Sequence, residues 1–167
     1  LPTGRYAKVS PSRACISNAM NVGHPSNLAR FFELYGGTVD RTGVVHCYPD
    51  LGQMRRRIYS VSITDEQTRR TIRSVYDRYR VVLEQHGAVG WAGLESYWRE
   101  TGDTRLAVCL ETAHPAKFPD EIKNLLGIEP AEPPSMKGLA RREGEAISMT
   151  GNYASFKKYL QSRLKIT

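Results

Sequence analysis

Five consecutive apolar residues, Leu106-Ala107-Val108-Cys109-Leu110, stand between the polar Arg105 and Glu111. A strand with one wet face alternates apolar and polar side chains. An unbroken apolar run of this length instead needs cover on both faces, the condition met in a parallel sheet flanked by helices. The rest of the chain supplies candidates for that cover. Residues 13–17 and 44–48 read as two further strands. Between them, residues 26–35 predict a helix with Leu28, Phe31, Phe32 and Tyr35 on one face and Gly36-Gly37 as its stop.

Thr64 with Gln67 three positions on forms a capping box. The helix after it carries Ile72, Val75, Tyr76, Tyr79, Val82 and Leu83 on one stripe, with Gly87 as a stop. A second helix is expected from about Val89 to Gly102, carrying Trp91, Leu94, Tyr97 and Trp98. Pro115 suits the first position of a third, whose buried face is Phe118, Ile122, Leu125 and Leu126 and whose stop is Gly127. Residues 129–151 open with three prolines in six residues and read as a linker-like segment before a terminal helix capped by Asn152. Strands alternating with helices give the α/β class, a parallel sheet flanked by helices.

The chain has 167 residues, 40% hydrophobic and 25% charged. A chain of that size buries roughly 70% of its unfolded surface and needs no disulfide staples. No run of 18 apolar residues occurs, so no helical membrane span is expected. The opening Leu-Pro-Thr-Gly has no leader pattern and no Met, and the expectation is a start inside a longer protein. Cys15, Cys47 and Cys109 are scattered, without zinc spacing; buried free thiols at Cys15 and Cys109 suit a reducing, cytoplasmic setting. No metal site is expected. Lys and Arg total 24 against 17 Asp and Glu, a net charge of +7. That excess concentrates in residues 55–80 and in the tail, away from exposed aromatics or a recognised binding fold. It reads as a solvated basic face, and no nucleic-acid partner is expected.

In α/β sheets, ligands bind beyond the carboxyl ends of the strands. Two loops rich in Gly, Asn, His and Pro follow predicted strands and open helices: residues 17–27, and 112–118 after the apolar run. Taken alone, each reads first as helix capping and second as a ligand site.

These loops also carry a resemblance. Ser17-Asn18-Ala19-Met20 through Gly23, with Pro25-Ser26-Asn27, resembles a Ser-Asn-Ala-Met-Asp-Val-Gly-x-Pro-Ser-Asn stretch of the threonine synthase family. Thr112-Ala113-His114-Pro115-Ala116-Lys117-Phe118 matches that family's Thr-Ala-His-Pro-Ala-Lys-Phe, and His86-Gly87-Ala88-Val89-Gly90 resembles its Asp-Pro-His-Gly-Ala-Val-Gly turn. The three motifs stand in the family's order. The resemblance covers essentially residues 1–167 and corresponds to the C-terminal part of the large cofactor-binding domain.

The resemblance implies a tryptophan-synthase-β-like (fold type II) enzyme that uses pyridoxal 5'-phosphate to convert O-phosphohomoserine and water to threonine and phosphate. It places Thr112 against the cofactor's pyridine nitrogen and makes Asn18 and Asn21 substrate-side candidates. Asn21 stands where the family carries Asp, and Glu84-Gln85 where it carries Asp-Pro. Lys117 lies within a family motif, but the family's covalent cofactor lysine belongs to a Ser-Phe-Lys-Asp motif absent here, as is the Gly-rich phosphate loop. No catalytic residue is therefore assigned in this chain. The isolated chain is expected to be inactive and to associate with the N-terminal part of the same enzyme. The alternative is a non-catalytic fragment or interaction module. His24, His86 and His114 are expected to serve packing and capping.

Overall fold

The computed structural model describes residues 3–18, 21–144 and 146–164. The chain divides into two compact units, Leu1–Ala131 and Glu132–Thr167. In the first, helix α1 spans Leu28–Leu34 and buries Phe32. A short antiparallel pair follows, β1 (Thr38–Val39) and β2 (Val45–Cys47), in the register Thr38 to Cys47 and Val39 to Val45. Helix α2 (Leu51–Arg57), to which the sequence pattern assigned no element, begins at Asp50, whose side chain accepts the Gln53 N–H.

Helix α3 (Asp65–Tyr79) starts at the anticipated capping box of Thr64 and Gln67. It ends earlier than expected. Arg80 takes the left-handed conformation, φ 57°, and closes the helix there instead of at Gly87. Val82 and Leu83 therefore belong to a connection, and Gly87 lies in the first turn of α4 (Gln85–Thr101). That helix ends as anticipated at Gly102, φ 68°, a position that favours glycine. Pro115–Lys117 forms a 3₁₀ turn, and α5 (Pro119–Leu126) is a separate helix after it.

The core lies where α3, α4 and α5 meet. Ile72 and Val75 of α3, Leu83, Ala88 of α4 and Ile122 of α5 are buried together, with Trp91, Leu125 and Leu126 packed against them. Burial of Ile72 and Ile122 stabilises by about 2 kcal/mol each. The Arg69 guanidinium crosses from α3 to Glu121 at 2.9 Å, and Arg73 donates to the Leu125 carbonyl. Part of the basic face is thus occupied in holding α5.

The sheet departs from expectation. Among the described residues the sole sheet is the two-stranded antiparallel pair, and no parallel sheet forms. Residues 13–17 are not a strand; there the Ile16 N–H donates to Asp65 at 3.2 Å. Residues 106–110 have no ladder partner either. Only Cys109 of this run is covered, packing against Gly87 and Gly90 of α4. The rest is bare, with Leu106 99%, Val108 82% and Leu110 78% exposed. A strand needs a neighbouring backbone to bond, and the described residues supply none at this place.

The second unit holds 3₁₀ turns at Pro134–Met136 and Leu139–Arg141, then α6 (Tyr153–Arg163), capped by Asn152 as expected. No helix of the described residues is long and apolar enough to cross a membrane.

Candidate functional site

The first turn of α4 is organised by a buried carboxylate. Glu84, fully buried, is the N-cap: its side chain accepts from the backbone N–H groups of His86, 2.9 Å, and Gly87, 2.7 Å. The same carboxylate oxygen that accepts from the His86 backbone also meets that residue's imidazole Nδ1. The Glu84 backbone N–H in turn donates to Glu111 Oε1 at 2.9 Å. The pair Glu84-Gln85, which departs from the Asp-Pro of the resembling motif, is therefore a working cap. Glutamate is not among the residues favoured at helix N-caps, so neither this cap nor its burial and its grip on His86 was legible in the sequence.

Glu111 follows the apolar run and leans on the same turn. A Cβ placed on Gly87 would come within 2.9 Å of Glu111 Cγ, so glycine is what lets the two segments touch. Burial pushes the Glu111 carboxyl above its ordinary range; the bond from the Glu84 N–H lowers it, the Glu84 charge raises it, and His114 lowers it. Burial, then the Glu111 charge, also push the Cys109 thiol up. That thiol is a packing group against α4 and not an activated nucleophile.

A cavity of about 350 Å³ opens beside this turn, lined by Cys15, Ser17, Asn21, Val22, His86 and Val89. It joins two segments that stand some 65 residues apart in sequence. The third segment also reaches this turn. His114 accepts the Ala116 N–H and caps the 3₁₀ turn, and the Phe118 ring lies 5.5 Å from the His86 ring. All three sequence motifs thus gather around His86, a residue whose sequence context suggests only packing or capping. The imidazole Nε2 is buried and makes no hydrogen bond; Gln85 Oε1 is the other buried side-chain atom in that condition among the described residues.

The predicted site residues are distributed as follows. Asn21 lines the cavity. Asn18 is exposed outside it, and its carbonyl accepts the Asn21 N–H at 3.1 Å. Thr112 is exposed and outside it as well, and its hydroxyl makes no hydrogen bond among the described residues. Ala19 and Met20 of the first motif lie outside the described residues. His24 pairs with the Tyr6 hydroxyl, and Lys117 is exposed.

Comparison with known proteins gives this arrangement relatives. The family described as "Threonine synthase, C-terminal" matches residues 87–160. The threonine synthase of Haemophilus influenzae is 29% identical over 147 residues, 88% of this chain and 31% of that protein. That of Methylobacillus glycogenes is 37% identical over 91 residues, 54% of this chain and 18% of that protein. A crystal structure of PLP-bound threonine synthase from Brucella melitensis superposes with a TM-score of 0.75 at 25% identity, over 93% of this chain and 35% of the other. The chain spans about a third of the length of the Haemophilus influenzae and Brucella melitensis proteins. Sequence and fold together relate it to the C-terminal region of threonine synthases.

Proposed function

We propose that this chain is the C-terminal part of a pyridoxal-phosphate-dependent threonine synthase, which in its complete form converts O-phosphohomoserine and water to threonine and phosphate, and that the 167 residues alone do not catalyse the reaction. The observation that carries the reading is the convergence of all three motif segments on His86, in a fold of which 93% superposes on about a third of a PLP-bound threonine synthase.

The residues present suit the cofactor at one wall. A threonine ahead of a helical turn ordinarily spends its hydroxyl on capping; here His114 does the capping, and the Thr112 hydroxyl is left for another partner. When bound, the cofactor withdraws electron density from the substrate's α-carbon and so loosens the bonds around it. Thr112 would hold the pyridine nitrogen with a hydroxyl, a weaker partner than a carboxylate and one that does not keep the ring nitrogen protonated. Asn21 in the cavity, and Asn18 beside it, would meet the substrate.

The bare side of residues 106–110 favours the partner reading. An apolar run with both backbone edges unpaired fits the inside of a parallel sheet whose other strands come from the N-terminal part of the same protein. Free thiols suit a cytoplasmic protein. The test is direct: the chain incubated with pyridoxal phosphate and O-phosphohomoserine yields no threonine. Threonine formed by the chain alone would overturn the proposal of an inactive fragment.

A further inference from the structure

We propose that the cavity at the C-terminal end of helix α2 is a binding site for a small molecule carrying two or more linked phosphates, held by the guanidinium groups of Arg55, Arg56, Arg57 and Arg105. The proposal goes beyond the threonine synthase reading and does not depend on it.

These four arginines line one cavity of about 520 Å³, and no Asp or Glu lines it. Arg55, Arg56 and Arg57 are consecutive in the last turn of α2. The negative end of a helix dipole favours cations there. It does not account for Arg105, which arrives at the same cavity after α3 and α4. Arg105 is braced: Asp103 accepts from its Nε at 3.0 Å and from its Nη2 at 2.6 Å, and also accepts the Tyr97 hydroxyl at 2.7 Å. Two other nearby carboxylates are engaged in the fold, Asp50 with the Gln53 backbone and side chain and Glu100 with the Tyr59 hydroxyl. The three acids offset part of the charge but stand outside the cavity lining. All four arginines are exposed, so a solute can reach them. Like charges gathered on a concave wall repel one another and focus their field, and a bound anion relieves that repulsion. Guanidinium suits phosphate because its planar fork meets two oxygens at once. A single phosphate monoester presents three terminal oxygens, too few for four such forks; a di- or triphosphate presents enough. The Ser60 hydroxyl also lines the cavity and can donate to a further oxygen. The volume falls within the range of small-molecule sites. The Tyr59 and Tyr97 rings, 5.5 Å apart and edge to face, give it an aromatic flank.

The experiment is calorimetric titration of the 167-residue chain with pyrophosphate, ATP and inorganic phosphate at one fixed salt concentration, without divalent cations. Pyrophosphate is expected to bind saturably, one per chain, and at least tenfold more tightly than inorganic phosphate. ATP binding more tightly still identifies a nucleotide as the source of the phosphates; ATP binding no more tightly than pyrophosphate identifies an inorganic polyphosphate. Both support the site. Arg56→Gln with Arg57→Gln lowers the affinity for pyrophosphate at least tenfold at an unchanged melting temperature, because both side chains are exposed. Arg105→Gln lowers it as well; should that variant unfold, the first pair decides alone. The control removes the same charge elsewhere on the same unit: Arg30→Gln with Arg41→Gln, exposed and outside the cavity lining, leaves the affinity within twofold. Pyrophosphate bound no more tightly than inorganic phosphate, or the control pair weakening it as much as the cavity pair, would overturn the proposal. A single-stranded oligonucleotide that outcompetes both pyrophosphate and ATP would overturn it too. Threonine formation by the longer protein bears on the threonine synthase reading alone.

Discussion

Thr112 and Glu111 are neighbours with opposite tasks. The Thr112 hydroxyl is unspent, while the Glu111 carboxyl is held against the turn of α4. In the longer enzyme, Thr112→Ser should retain turnover and Thr112→Val should lower it at least tenfold, about 1.4 kcal/mol of lost stabilisation, with the melting temperature of the chain unchanged. Glu111 has its folded pKa raised above the unfolded value, chiefly by burial. The folded state then binds more protons than the unfolded state between those two values, and stability falls as pH rises through that window. Glu111→Gln keeps an oxygen for the Glu84 N–H and removes the titration. Denaturation across the acid range should show a flatter stability profile for the variant and a gain at neutral pH below about 1 kcal/mol.

At the scale of elements, the three-helix core carries the fold. Ile122→Ala, at a fully buried position, should cost about 3 kcal/mol in urea denaturation. Arg80 holds a left-handed conformation that favours glycine, and its guanidinium lies 5.3 Å from the Tyr76 ring centroid. Arg80→Gly relieves the backbone and gives up that contact, for a net gain of about 0.5 kcal/mol. Here lies the boundary of what the sequence made legible. Capping and periodicity located α1, the start of α3, the end of α4 and the cap of α6, because those signals are local. The end of α3 was missed because a left-handed arginine has no composition signal, and Gly87, which the pattern offered as a stop, is needed instead for close contact with Glu111. The apolar run at 106–110 was expected to lie in a parallel sheet with both faces covered; among the described residues it has no strand partner and one bare side, because an apolar run does not say where its partner strands come from. The three motifs were visible in sequence. Their meeting point at His86, and the buried Glu84 behind it, required tertiary contacts between segments far apart in the chain.

For the whole molecule, the exposed apolar side of residues 106–110 separates two demands on one surface. In the isolated chain Leu106 and Val108 touch little, so Leu106→Asp with Val108→Asp should change stability by less than about 0.5 kcal/mol. The same pair should abolish association with a threonine synthase N-terminal region, because a charge would be buried unpaired within the completed sheet. Gel filtration of the mixture checks this. The central claim, that the chain is the C-terminal part of an enzyme completed from elsewhere, is tested most directly by one assay. Threonine formation from O-phosphohomoserine in the presence of pyridoxal phosphate is measured for the chain alone and for the chain joined to a threonine synthase N-terminal region. The account predicts no product from the first and turnover by the second; threonine from the chain alone, or an inert joined protein that is folded, would contradict it.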